Sequence, residues 1–310
     1  MRREKIYFAS AIILLVLAAI LGACAAPSAP TVAPGPQNTQ TTPEVLVDVA
    51  WLQAHLNDPD VVILDVSSQE DVYRQGHVPG ALFVDWRKDL VDVNNPVKGQ
   101  VLTREQAERL FGRLGIDNTD TVVVYGDTNN LFAARAFWVL TYYGHEKVRL
   151  LDGGRQAWVQ AGLELSTDSP EVTPTTYTIQ RTRDELRADV AAVQALTDDS
   201  AVILDVRSPK EYAGLDVRAR RGGHIPGAIN VNWVAAVNSD GTFKSVDALA
   251  PLYQAAGVQP DKPVVTYCQT GVRAAHSWFV LTYLLGYPDV KVYDGSWEEW
   301  GNNPNLPIER

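Results

Sequence analysis

The chain is 310 residues long, 46% hydrophobic and 21% charged, with a formal net charge of −10. That length accommodates about two domains of ordinary size, and the composition is that of a folded globular body. The first 23 residues carry a net +2 (Arg2, Arg3 and Lys5 against Glu4), so the remainder stands at −12, which argues against nucleic acid as a partner.

The chain begins MRREKIYFASAIILLVLAAILGAC: a basic start, an apolar core over 6–21, then small residues. This core is shorter than the roughly 20 residues a spanning helix needs and reads as an export signal over 1–23. Leu21-Gly22-Ala23-Cys24 resembles a bacterial lipobox, which makes Cys24 the expected lipidated first residue of the mature protein. An uncleaved signal anchor is the alternative, and either reading places the body outside the cytoplasm, tethered to a bacterial membrane or in the periplasm. Residues 24–43 are proline-rich and uncharged. They cannot bury enough apolar surface to offset ordering, so they read as a disordered spacer.

Two long stretches of the chain repeat. VVILDVSSQEDVYRQGHVPGALFVDW (61–86) returns as AVILDVRSPKEYAGLDVRARRGGHIPGAINVNW (201–233), with extra residues ahead of Gly-His-Ile-Pro-Gly-Ala. TVVVYGDTNNLFAARAFWVLTYYG (121–144) returns as PVVTYCQTGVRAAHSWFVLTYLLG (263–286), and LLDGGRQAW (150–158) as VYDGSWEEW (292–300). The chain is a duplicated domain, and each copy is long enough for its own core. Copies are placed at 44–168 and 183–310, joined by a linker at 169–182 where prolines and polar residues interrupt periodicity.

Each copy alternates short β-branched runs with helical patterns. Val61–Asp65, Thr121–Tyr125, 201–206, 263–267 and Val290–Tyr293 read as buried strands, while 103–114, 133–143 and 274–285 carry apolar residues at helical spacing. Such alternation predicts an α/β fold, a mostly parallel sheet flanked by helices in each copy. Ligands of such sheets bind beyond the carboxyl ends of the strands, where Cys268 falls.

If Cys24 is acylated, Cys268 is the only other cysteine and has no internal partner for a disulfide. It opens the loop Cys268-Gln269-Thr270-Gly271-Val272-Arg273, between a predicted strand and a predicted helix. Loop amides and the helix amino terminus converge there on whatever occupies the centre, a field that favours thiolate over thiol. Gly271 supplies backbone freedom, and Arg273 supplies a charge able to pair with an anionic substrate. The pattern points to a nucleophilic cysteine. No second His or Cys stands at ligand spacing, so no metal or other cofactor is expected.

The duplicated pattern, the cysteine loop, the paired LDVRS and GHIPGA segments and the closing GSWEEWGNNPNLPIE resemble the tandem-domain rhodanese (thiosulfate sulfurtransferase) family, over about residues 44–310. The resemblance implies that the second copy is catalytic and the first, with Gly126 about where Cys268 stands, is a non-catalytic partner that walls the site. It also implies that Cys268 takes a sulfane sulfur from thiosulfate or a similar anionic donor as a persulfide, which a thiophilic acceptor, cyanide in vitro, then removes. Four residues lie between Cys268 and Arg273, whereas the cysteine phosphatases of related architecture have five; the shorter ring suits a sulfur rather than a phosphate. Gln269 and Thr270 replace the basic pair of animal thiosulfate enzymes and look more like a bacterial thiosulfate group. A 3-mercaptopyruvate donor, or a persulfide carrier without small-molecule turnover, are the alternatives.

Several further residues bear on that site. Arg207 and Asp205 end a strand beside the loop, Arg207 as a candidate for touching the donor and Asp205 as its support. Glu211 stands where animal members have a substrate-binding arginine. Arg218, Arg220 and Arg221 form a small basic cluster read as a solvated insertion, with donor steering as the sharper idea. His77 and His224 recur in both copies although only one has the cysteine, which favours a role in the fold. The tryptophans read as packing, except that Trp297, which lacks an aromatic counterpart in the first copy, is also a candidate for lining the active pocket.

Overall fold

The computed structural model describes residues 45–196 and 200–310. The export signal, Cys24 and the proline-rich spacer lie outside the described residues. Among those described, no helix is long and apolar enough to cross a membrane.

The first copy contributes strands β1 (Leu46–Val47), β2 (Val61–Asp65), β3 (Leu82–Phe83), β4 (Thr121–Tyr125) and β5 (Val148–Leu151). The second contributes β6 (Arg187–Ala188), β7 (Val202–Asp205), β8 (Ile229–Asn230), β9 (Val264–Tyr267) and β10 (Val290–Tyr293). Each set forms a five-stranded sheet, ordered β1-β5-β4-β2-β3 and β6-β10-β9-β7-β8, with every pairing parallel. The central strand of the second sheet, β9, is buried along its whole length between β10 and β7, as a parallel strand covered by helices on both faces should be. Its registers with β7 and β10 run Val202↔Val264 and Val290↔Val264. They align the carboxyl ends of three strands around residue 268.

Helix boundaries follow local chemistry. The helix Arg104–Arg113 begins at Thr103, whose hydroxyl and the Gln106 side chain form a reciprocal capping box. The segment expected as one helix over 274–285 divides instead into an α-helix, Val272–Phe279, and a π-turn, Val280–Leu284, with Leu285 N–H donating five residues back to the Val280 carbonyl at 3.0 Å. AAHSWFVLTYLLG is one residue longer than its counterpart AARAFWVLTYYG, and a π-turn absorbs one extra residue without breaking the helix.

Helices Leu131–Tyr142 and Val272–Phe279 lie against each other and join the copies in one core. Phe137 meets Phe279 edge-on at 4.9 Å and Tyr283 at 5.2 Å between ring centroids, contacts that add about 0.5–1.5 kcal/mol each beyond area burial. Two aspartates pin the seam in pseudo-symmetric fashion. Asp294 of the second copy accepts the Val101 amide at 2.7 Å, and Asp152 of the first accepts the Phe243 amide at 2.9 Å. The expected linker at 169–182 carries no helix or strand but is docked: Thr175 bonds Gly112 and Ile116 through its amide and hydroxyl at 2.9 and 2.6 Å, and Tyr177 packs edge-on against Phe111.

Candidate active site

Cys268 directly follows β9, and only 1% of it is exposed. The loop turns back under the helix Val272–Phe279 through Gly271, whose φ of +79° only glycine adopts without strain. A Cβ there would also meet Asp294 Oδ1 at 2.8 Å and Arg135 Nη1 at 3.0 Å. The amides of Gln269, Thr270, Val272, Arg273 and Ala274 have no acceptor among the described residues. The last three belong to the first turn of the helix, whose N–H groups have no partner within the helix and carry its positive end.

Not every loop amide is available to a bound sulfur, contrary to the simplest reading of the sequence. Those of Cys268 and Gly271 both donate to Ser296 Oγ at 3.1 Å, and Ser296 in turn donates to the Tyr293 carbonyl at 2.8 Å. Ser296 is fully buried and held at φ +49°, a conformation costly for a residue with a Cβ. The amides of Trp297 and Glu298 donate to the Cys268 and Gln269 carbonyls at 2.9 Å, so the segment after β10 ties the loop from behind. The first copy solves the same problem differently. Asn130 Oδ1 takes the Gly126 amide at 3.1 Å, and Gly154 replaces the serine because a Cβ there would lie 2.6 Å from Asn130 Oδ1.

Arg273 is paired with a carboxylate. It holds Glu211 with two parallel hydrogen bonds, at 2.7 and 2.9 Å. Burial works against both charges. The Arg273 hydrogen bonds and charge, with the Ser208 amide and hydroxyl, nonetheless hold the Glu211 carboxyl at about 2. Burial likewise opposes the Arg273 charge, yet Glu211 and the nearby Cys268 keep it above the usual arginine range. Arg218, half exposed, approaches Glu211 at 3.6 Å and pairs with Asp216 at 2.6 Å. Its carbonyl accepts from the Gln269 side chain at 3.2 Å, which brings the inserted segment to the mouth of the loop.

Arg207 is buried and forked on Asp205, at 2.5 Å for the closest contact, and also donates to the Gly223 carbonyl at 2.7 Å. Asp205 takes the Tyr267 hydroxyl at 2.7 Å, as Asp65 takes that of Tyr125 at 2.5 Å in the other copy. The Arg207 guanidinium lies 4.5 Å over the Trp297 ring, which explains why this tryptophan has no counterpart where Ser67 replaces the arginine. Arg221 donates to the carbonyls of Trp300, Gly301, Asn303 and Leu306, securing the carboxyl end of the helix Ser296–Trp300. His77 and His224 stack on Tyr73 and Tyr212 at 3.8 and 3.7 Å, a repeated element of the fold.

The first copy reaches the loop. Gly99 lies so close to Thr270 that a Cβ would meet the Thr270 Cβ at 2.7 Å. Arg135 pairs with Asp294 at 2.7 Å, both fully buried, and Arg187 approaches the same carboxylate at 3.6 Å. The structure therefore gathers residues 268–273 as the sequence implies, gives Arg207 and Arg273 carboxylate partners, pairing Glu211 with Arg273, and adds Ser296, Arg135, Asp294 and Gly99. One signal of Ser296 was legible: the aligned DGG and DGS segments differ at that position.

Comparison with known proteins bears on the family and the fold. The rhodanese-like domain family matches residues 48–161 and 189–303. The chain is 46% identical over 280 residues to the "Sulfur carrier protein TtuD" of Thermus thermophilus, covering 86% of this chain and 97% of that one. It is 44% identical over 274 residues to the "Putative thiosulfate sulfurtransferase 1" of Mycobacterium bovis, covering 86% and 98%. Among solved structures it resembles the anaerobic ergothioneine biosynthesis enzyme of Chlorobium limicola bound to trimethyl histidine, at 28% identity and a TM-score of 0.78 over 86% of this chain and 70% of the other. It also resembles a variant of EanB holding a cysteine persulfide, at 27% identity and a TM-score of 0.79, again over 86% and 70%. Two matched domains, two parallel sheets of one strand order and relatives above 40% identity along nearly their whole length place the chain in the tandem-domain rhodanese family.

Proposed function

We propose that the protein transfers sulfane sulfur from thiosulfate to a thiophilic acceptor through a persulfide on Cys268. The Cys268 thiolate attacks the outer sulfur of the donor; the S–S bond breaks with its electron pair on the departing sulfite, and the new persulfide keeps one negative charge. Cyanide then attacks the outer sulfur, leaving as thiocyanate and returning the thiolate. The observation that carries this reading is the free, buried thiol of Cys268 at the end of the central strand, opening a loop whose Gln269, Thr270, Val272 and Arg273 amides have no acceptor among the described residues. Such preorganised donors stabilise an anion where it forms. A relative of 27% identity that holds a cysteine persulfide supports it.

Intact mass spectrometry tests the proposal. Thiosulfate should add one sulfur atom to the wild type, cyanide should strip it off, and Cys268→Ser should gain none; an equal gain in the variant defeats the assignment. A second reading, a persulfide carrier that passes sulfur to a protein, draws on the 46% identity to a protein named a sulfur carrier. Ping-pong kinetics with thiosulfate and cyanide favour the enzyme, and stoichiometric loading without turnover favours the carrier. A 3-mercaptopyruvate donor is separated by comparing kcat/KM for the two donors. We further read the chain as an exported lipoprotein anchored through Cys24; incorporation of labelled fatty acid that is lost in Cys24→Ala tests that.

A further inference from the structure

Three arginines of the second copy, Arg273 of the loop, Arg218 of the insertion and Arg207 after β7, are each paired with a carboxylate. Arg273 is forked on Glu211, Arg218 pairs with Asp216 and leans on Glu211, and Arg207 is forked on Asp205. The Arg273 side chain retains 15% exposure while Glu211 retains 1%. The carboxylate is thus locked behind the guanidinium by Arg273 and by the Ser208 amide and hydroxyl, at 3.2 and 2.9 Å. It cannot swing aside for an incoming anion, because that would leave a buried charge without its partner.

We propose that Glu211 is the residue that sets donor specificity: by neutralising Arg273 at the mouth of the Cys268 loop, it disfavours doubly charged sulfur donors relative to singly charged ones. This rests on the sulfur-transfer reading above. A donor entering the loop meets the charge of the Arg273–Glu211 pair as a unit, and each added charge on the donor feels that unit once more. The buried carboxylate of Asp294, shared by Arg135 and Arg187, contributes a constant background that the test leaves unchanged.

The test compares thiosulfate, a dianion, with methanethiosulfonate, a monoanion carrying the same kind of outer sulfur. In both, the Cys268 thiolate takes the outer sulfur and the S–S electron pair departs, on sulfite or on methanesulfinate. The readout is the ratio of kcat/KM for the two donors, measured on each variant against itself so that any loss of folded protein cancels. Glu211→Gln keeps the hydrogen-bonding shape and removes the charge, so the pair becomes +1 and the ratio should shift toward thiosulfate by about tenfold. Arg273→Gln makes the pair −1 and should shift the ratio the other way by a similar factor, and the double variant should return near the wild-type value. The shifts should shrink at high ionic strength. A ratio unmoved in both single variants, or moved in the opposite sense, overturns the proposal while sulfur transfer stands. Absence of sulfur on wild-type Cys268 with either donor overturns the transfer reading and this proposal with it.

Discussion

Arg135 of the first copy and Asp294 of the second meet at 2.7 Å with neither side chain exposed to solvent. The pair lies against Gly271, whose missing Cβ would collide with both, and Asp294 also takes the Val101 amide. The seam between the copies and the floor of the cysteine loop are therefore the same group of atoms.

Removing one partner of that pair should be costly. Arg135→Ala leaves the Asp294 carboxylate buried beside the partly exposed Arg187 alone, and a loss of about 3–5 kcal/mol is expected. Urea unfolding would show it as a lower midpoint with little change in slope. The double variant Arg135→Met with Asp294→Asn should recover much of the loss. A cost below about 1 kcal/mol for Arg135→Ala, the range of exposed pairs, would mean that the pair does not hold the seam.

Ser296 offers a second test because its hydroxyl and its backbone pull in opposite directions. Loss of Oγ strands the buried amides of Cys268 and Gly271, at about 1–3 kcal/mol. Relief of the φ of +49° returns about 1 kcal/mol if the replacement is glycine. Ser296→Gly should therefore be more stable than Ser296→Ala, and both should load sulfur more slowly than the wild type. Equal stability of the two variants would show that the strain is not there.

His276 gives the protein an acid-sensitive core. It is fully buried between Trp233 and Phe243, and burial, outweighing the help of the Asn129 backbone, lowers its titration to about 3. An unfolded imidazole protonates near 6.5, so between those values the unfolded chain binds more protons and stability falls as pH falls. Its share between pH 7 and pH 5 is about 2 kcal/mol. His145, also lowered by burial, acts in the same sense, so the measurement is the difference between wild type and His276→Leu. The variant should lose that much less stability over the same interval, and an identical pH profile would exclude His276 as the source.

The fold was legible where it depended on neighbours in the chain. Strand runs such as Thr121–Tyr125 and Val290–Tyr293 match the structure residue for residue, since a buried parallel strand announces itself by continuous β-branched residues. The helix expected over 274–285 begins two residues earlier, at Val272, and its π-turn was not anticipated. An inserted residue is visible only against the other copy, and where it is absorbed depends on the packing of Phe279 and Tyr283 against Phe137. Arg207 illustrates the other limit: its position beside the loop was legible, while its fork on Asp205 and its stacking on Trp297 were not.

By itself, the sequence determined the duplication, the alternation of the longer strands with helices, and the seat of Cys268 at the end of a strand, because periodicity and internal repetition are properties of adjacent residues; that this strand is central to its sheet came from the fold. Only the tertiary structure decided the charge that surrounds the thiol. Glu211 is 62 residues from Arg273, Ser296 is 28 from Cys268, and Arg135 belongs to the other copy. Whether a cation stays available or is consumed depends on which carboxylate is buried against it, and burial is decided by the packing of the whole molecule rather than by any one stretch of chain.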